Sequence, residues 1–528
     1  MDFDRMKRYG FYDSSLGFGL DVSGMPFEEG YLDGMKSRMD KAFEAMTQLE
    51  AGAVANPDEG RMVGHYWLRA PELAPGGLAA DIRQVREDIL RFAREVVDGD
   101  IRCGNDELFE NFLLVGIGGS ALGPQLVADA LGGPAARGLK PHFFDNTDPD
   151  GMDRVLEAIG DGLRRTLTLV VSKSGGTIET RNGMLEVQRA MEQAGVDWPR
   201  QFVAVTQVGS KLDQQAVDQG WLHRFPMWDW VGGRYSVTSA VGLLPAALQG
   251  VDVTALLEGA ARMDALTRVG RMESNPAAML SLMWYWATGG EGKRDMVLLP
   301  YRDRLALFAK YLQQLVMESL GKDRGEGQVP RYQGIAVYGN KGSTDQHAYV
   351  QQLLEGVPNA FVTFIETRQD ARPEPWEVQG RITSGDYLRA FLYGTRQALT
   401  QGGRPNMTLS VNVLNAYTLG ALIALYERAV GFYASLTGIN AYHQPGVESG
   451  KKSAARVVEV QEALLGYFAS PAADAGAVTA EQAAKALGLE AELDIVWNTL
   501  ENLSLNRRGI RRIPGETPWE NQYVNSNS

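Results

Sequence analysis

A strand-like run that empties directly into glycine constrains this chain more than any other feature. Asn111-Phe-Leu-Leu-Val115 is followed at once by Gly116-Ile-Gly118-Gly119-Ser120-Ala-Leu-Gly123-Pro124. An apolar strand, a glycine-rich turn and a helix starting near Gly123-Pro124 make the opening of an α/β unit. Such a turn brings bare backbone N–H groups close to a ligand, and the helix N-terminus adds partial positive charge, so an anion such as a phosphate is favoured. A second turn of similar build follows in Leu169-Val-Val-Ser172-Lys173-Ser174-Gly175-Gly176-Thr177-Ile-Glu179-Thr180. Its hydroxyls and glycines look like a pocket of hydrogen-bond donors. Two such turns in one α/β unit suggest a phosphorylated small molecule.

A second reading is open to the first turn. Gly116-x-Gly118-x-x-Ala121 fits the dinucleotide fingerprint, and Asp145 ends the next strand-like run, Pro141–Asp145. Asp145 lies farther past Gly116 than the usual spacing of about 20 residues. The fingerprint also leaves the Ser172–Thr177 turn unexplained. An ordinary ligand-free turn accounts for either loop alone; the pair favours a ligand.

With 528 residues, 44% hydrophobic and 22% charged, the chain can bury more than one core and should hold two or three domains. Its formal charge of −13 argues against nucleic acid or an anionic membrane as partner. Any phosphate must be held by local donors against that field. Cys103 is the single cysteine, which excludes an internal disulfide and suits a cytoplasmic protein. The N-terminus lacks an apolar core of signal-peptide length. The apolar stretch 419–436 is interrupted by Glu427 and Arg428, and so reads as a buried helix rather than a membrane span.

Strand-like runs at 112–116, 142–145, 167–172 and 202–206 alternate with helical patterns at 124–131, 152–159 and 179–194. A second set of strands at 296–300, 335–338, 361–365 and 409–413 alternates with helical patterns at 304–320, 344–355 and 417–436. The alternation predicts an α/β protein with two doubly wound parallel sheets. Helical patterns at 255–263 and 277–286 bridge them. The first 60 residues read as helical and peripheral. The tail from about Ser470 is rich in Ala and Glu, turns polar after Arg512, and 525–528 is expected to be disordered.

Further segments identify a resemblance. They are Val115–Ser120, Ser172–Thr180, Gly232-Gly-Arg234-Tyr-Ser-Val-Thr-Ser239, Gln314-x-x-Met317-Glu318-Ser319, Gln346-His347-Ala348 and Gln444-x-Gly446-Val447-Glu448-x-Gly450-Lys451. Over roughly residues 110 to 470 the chain resembles the phosphoglucose isomerase family, whose fold is two sugar-isomerase (SIS) domains. The third and last segments are highly specific; the first two are shared with other SIS proteins. Where many family members carry Thr and a bulkier residue, this chain has Gly175 and Gly176, and His443 and Pro445 also depart from familiar forms. The resemblance implies an N-terminal helical extension over 1–60, a first SIS domain over 61–285, a second over 286–470, and a helical extension and tail over 471–528. It further implies a cytoplasmic homodimer with shared active sites that interconverts glucose 6-phosphate and fructose 6-phosphate in glycolysis and gluconeogenesis.

Aldose–ketose isomerisation through a cis-enediol needs a carboxylate base, a cation for the enediolate, a group to open the ring and an anchor for the phosphate. Taken alone, Glu318 reads as a solvated helical residue paired with Lys322; the resemblance makes it the proton-shuttling base. Arg234, unshielded beside Gly232-Gly233, becomes the cation that stabilises the enediolate. His347, by itself an ordinary structural histidine, becomes a ring-opening acid/base supplied by the other subunit. Lys451, at the expected start of a helix over 453–467, takes the family's ring-opening role. Gln314 and Gln444 bind the sugar, and Glu179 orients cationic neighbours. Gly119, Ser120, Ser172, Lys173, Ser174 and Thr177 are the phosphate candidates, although capping hydroxyls can share that geometry. The five histidines show no HxxxH or HxH spacing, so neither metal nor cofactor is expected. The rivals are a non-catalytic SIS protein that senses a sugar phosphate, which has no need of Glu318, His347 and Lys451 together, and a nicotinamide-dependent dehydrogenase. A dual enzyme acting also on mannose 6-phosphate is a variant of the leading reading.

Overall fold

The computed structural model describes residues 3–104, 106–133, 137–323, 332–372, 374, 376–470 and 476–526, without the side chains of 447–449, 451 and 452. It divides into two compact units, Met1–His443 and Gln444–Ser528.

The first unit opens with the helix Phe3–Tyr9 and a hairpin of β1 (Phe11–Asp13) and β2 (Phe18–Asp21). The helical character expected of residues 1–60 is found in Tyr31–Glu50. The hairpin was not foreseen, and it is not peripheral: β2 is buried at every position and pairs antiparallel with a strand some 390 residues onward, Leu20 opposite Leu409.

A five-stranded sheet follows, built of β3 (Asn111–Val115), β4 (Lys140–Phe144), β5 (Thr166–Val171), β6 (Phe202–Thr206) and β7 (His223–Pro226). Its order is β4-β3-β5-β6-β7, parallel throughout. The strands β3, β5 and β6 are buried at every residue, as expected where helices cover both faces. Four of the five lie within one or two residues of the strand-like runs in the sequence. The fifth, β7, is a short edge strand whose His223 and Arg224 break the apolar run.

The second sheet adds β8 (Asp295–Pro300), β9 (Val337–Tyr338), β10 (Ala360–Thr367) and β11 (Asn406–Val411) to the hairpin, in the order β1-β2-β11-β10-β8-β9. Its four later strands are parallel. Strand β9 is shorter than the expected 335–338. Both sheets therefore match the expected α/β fold.

In each sheet the chain leaves one strand for a neighbour on one side, then crosses to the other side. That makes a switch point between β3 and β5 in the first sheet, and between β8 and β10 in the second. Crevices for ligands open at the carboxyl ends of strands at such points.

The helix Ala416–Thr437 is long and apolar enough to cross a membrane, but 94% of its most apolar window is buried in the protein. Its interrupting charges are paired there. Arg428 reaches Glu50 at 2.8 Å and Asp264 at 3.2 Å, and Glu427 meets Arg69.

In the second unit the helix Pro445–Phe468 starts eight residues before the expected 453, because Pro445 presets the first helical residue. Residue 451 thus lies in its second turn; the Lys451 side chain is outside the described residues. The helices Ala480–Leu487 and Leu493–Leu505 pack with Pro445–Phe468 around Leu464, Val496 and Leu500. Of the stretch 525–528 expected to be disordered, Asn525 instead closes a strand, Gln522–Asn525, which pairs with Ile510–Ile513 and Val478–Thr479. Asn525 Nδ2 donates to Phe468 O at 2.7 Å. Asn527 and Ser528 lie outside the described residues.

Candidate active site

The β3–β5 crevice receives both glycine-rich turns. After β3, Gly118–Ser120 forms one 3₁₀ turn before the helix Leu122–Leu131, and no side chain caps that helix. Gly118 has φ +57, which favours glycine. A Cβ there would lie 3.1 Å from Gln314 Nε2, so the turn and Gln314 are in close approach. At Gly119 the contact is closer still: a Cβ would lie 2.2 Å from Gly233 O. Only glycine lets the first turn sit directly against Gly233-Arg234, and Ser236 Oγ adds a 3.3 Å hydrogen bond to Gly119 O.

After β5, Ser172 Oγ donates to Thr177 Oγ1 at 3.2 Å and accepts from Gly175 N at 3.1 Å, while Ser174 Oγ accepts from Gly176 N at 3.1 Å. Gly175 has φ +67 and a Cβ there would strike the Leu212 backbone, which accounts for glycine at this position. Thr177 is the residue before the helix Ile178–Gln193, yet its side chain makes no capping bond. Glu179 is half-buried in that helix's first turn, where negative charge suits the dipole. Lys173 turns away from the turn's amides: its Nζ donates to Asp229 O at 2.8 Å and Val231 O at 3.0 Å. It thereby ties the turn to the segment that leads into Gly232-Gly233-Arg234. Burial lowers its ammonium to about 8.

The expected single helix over 304–320 is broken into pieces. A 3₁₀ turn at Asp303–Leu305 and the helix Phe308–Leu312 lead into a π-helical turn, Gln313–Glu318. An inserted π turn shifts the side chains after it around the axis and often marks a functional site. Here it carries Gln314, which meets Gly118, and Glu318. The Glu318 carboxylate is 3.6 Å from Arg234 Nη2, with side-chain exposures of 21% and 3%. Arg234 also donates to Ser319 Oγ and Ala441 O at 3.4 Å and to His443 O at 3.3 Å. Beside it, the buried Tyr235 hydroxyl pairs with Ser319 Oγ at 2.8 Å, and the ring of His65 stacks on Tyr235. A carboxylate and a fixed guanidinium at this separation can accept a proton and stabilise the anion that its removal creates.

His347 is exposed at the end of the turn Thr344–His347. Buried Asp345 holds that turn, accepting from Asn340 N at 2.8 Å and Tyr349 Oη at 2.5 Å. Gln444, exposed, begins the second unit. The first unit therefore unites Gly119, Ser120, Gln314, Arg234 and Glu318. It leaves His347 at the surface.

Sequence reasoning missed Ser319 and treated Lys322 only as a partner for the Glu318 carboxylate. Lys322 is instead buried, with Nζ donating to Glu318 O at 2.6 Å and His443 O at 2.8 Å. Spacing within one helix could not signal a contact made to a segment 121 residues onward.

A family model described as phosphoglucose isomerase matches residues 35–379 and 394–467. The glucose-6-phosphate isomerase of Synechococcus elongatus is 56% identical over 502 residues, covering 95% of this chain and 94% of the relative. That of Geobacter sulfurreducens is 54% identical over 504 residues, with the same coverage of 95% and 94%. Among solved structures, a glucose-6-phosphate isomerase from Chlamydia trachomatis superposes with a TM-score of 0.79 at 26% identity, covering 87% of this chain and 92% of that one.

Proposed function

The chain belongs to the phosphoglucose isomerase family of enzymes, and on that premise we propose that it interconverts glucose 6-phosphate and fructose 6-phosphate through a cis-enediol. The observation that carries the reading is the Glu318–Arg234 pair beside the β3–β5 cradle. Glu318 removes the proton from one of C1 and C2 of the open-chain sugar and returns it to the other. Arg234 faces the enediolate oxygens and, unlike lysine, keeps its charge throughout. The phosphate sits on the amides of Gly119 and the Leu122–Leu131 helix start and on the hydroxyls of Ser120, Ser172, Ser174 and Thr177. Lys173 contributes its charge from the Asp229–Val231 carbonyls. Gln314 binds a sugar hydroxyl from the π turn.

Family membership is the support for the remaining assignments. His347 acts on the ring oxygen in the site of a second copy, which accounts for an exposed imidazole, and the enzyme is a homodimer. Lys451 shares ring opening, Gln444 reads sugar hydroxyls, and Glu179 orients the cations. The first SIS domain ends near residue 285 and the second near 470. One proton moves between C1 and C2 and a second between their oxygens, so atoms and electrons balance without metal or redox cofactor. The cell compartment is the cytoplasm and the pathway glycolysis or gluconeogenesis.

A coupled assay tests this: the purified protein is given fructose 6-phosphate and glucose 6-phosphate is measured. Steady formation supports the reading, and mannose 6-phosphate as a parallel substrate reports dual specificity. Binding of fructose 6-phosphate without turnover would instead favour a sugar-phosphate sensor.

A further inference from the structure

Lys322 stands where an ordinary surface ion pair was expected, yet it is 8% exposed and does not bond the Glu318 carboxylate. Its ammonium closes the C-terminal end of the π turn on the Glu318 carbonyl, an acceptor left without an intrahelical partner there. The same ammonium donates to His443 O, and that carbonyl also accepts from Arg234 Nη2 at 3.3 Å. One carbonyl thus accepts from both cations that contact the residue assigned as base. A lysine accepts burial beside an arginine only where these contacts offset the loss of water.

We infer that Lys322 is a positioning residue for the isomerisation, fixing the turn that carries Glu318 against Arg234 and holding positive charge behind it. The inference rests on Glu318 as the base. Around this pair stand Arg234 from the Gly233–Tyr235 turn, Tyr235 itself, Asp58 from the loop after Tyr31–Glu50, and His443. His443 Nδ1 lies 3.7 Å from Asp58, and its imidazole is held below its usual range by burial and by Lys322. Tyr235 is raised to about 12 by burial. Burial first, and Arg234 second, lower the Lys322 ammonium to about 8. Its charge is therefore present at neutral pH and lost as pH rises through that value.

The test measures kcat and KM for fructose 6-phosphate from pH 6 to 9.5 in the native enzyme, Lys322→Gln and Lys322→Arg. Lys322→Gln should lower kcat about tenfold near neutral pH with KM changed less than about twofold. The deficit should narrow above pH 8, where native Lys322 also loses its charge. Lys322→Arg should recover part of kcat, and its basic limb should extend to higher pH than the native limb. A deficit constant across the range, a loss read mainly in KM, or native kcat in Lys322→Gln would overturn the inference. If Lys322→Gln does not fold, Lys322→Arg decides, and a basic limb unchanged from native overturns it. Glu318→Gln assayed alongside separates the two readings: near-normal turnover there removes both. Inactive Glu318→Gln with a pH-independent Lys322→Gln deficit removes only the role of Lys322.

Discussion

The first sheet and the parallel part of the second share one strand order, β4-β3-β5 in one and β9-β8-β10 in the other, and hence one kind of switch point. Their crevices differ. Between β3 and β5, no hydrogen bond among the described residues joins Gly116–Ser120 to Ser172–Thr177, and the walls are glycine amides and hydroxyls. Between β8 and β10, Arg302 crosses from the end of one strand to the end of the other. Its Nη2 donates to Thr367 O at 3.2 Å, Gln369 O at 3.0 Å and Asp370 Oδ1 at 3.3 Å. The second crevice is thus fastened by the protein's own cation, whereas the first can take a ligand. The second half contributes through the chain that follows β8, whose π turn carries Gln314 and Glu318 to the first crevice. Equal topology does not give equal function; the residues at the strand ends decide it.

Three substitutions sharpen this contrast. Gly119→Val places a side chain where a Cβ would already lie 2.2 Å from Gly233 O, and so pushes the Arg234 turn off the cradle. It should cost about a hundredfold or more in kcat/KM, with melting temperature measured to separate misplacement from unfolding. Thr177→Ala removes one hydroxyl from the open crevice and should raise KM for fructose 6-phosphate about tenfold, with kcat less affected, in steady-state assays. Arg302→Met unfastens the closed crevice. Activity should stay within about twofold of native, while urea denaturation shows a loss of about 1–2 kcal/mol of stability. A larger kinetic effect at Arg302 than at Thr177 would break the comparison.

Much of this was legible in the sequence, because parallel strands buried on both faces read as short apolar runs, and β3 and β5 are followed directly by Gly116 and Ser172. Ser120, Ser172 and Thr177 could be placed on strand–turn–helix junctions by pattern alone. Three features could not. The β1–β2 hairpin is too short to announce itself, and its partner β11 lies near the other end of the first unit. The π turn hides in a helical periodicity, since one extra residue shifts the stripe without ending it. Lys322 and Ser319 gain their surroundings from residues 441–443 and 234–235, contacts that no local spacing encodes. His347, exposed in the single chain, owes its proposed role to the family alone.

The division of labour between the two halves is tested most directly by Glu318→Gln, with fructose 6-phosphate binding titrated calorimetrically and turnover measured on the same preparation. The account predicts a binding constant within a few-fold of native and a kcat lower by about a thousandfold. Near-normal turnover, or loss of binding in step with turnover in a folded variant, would contradict it.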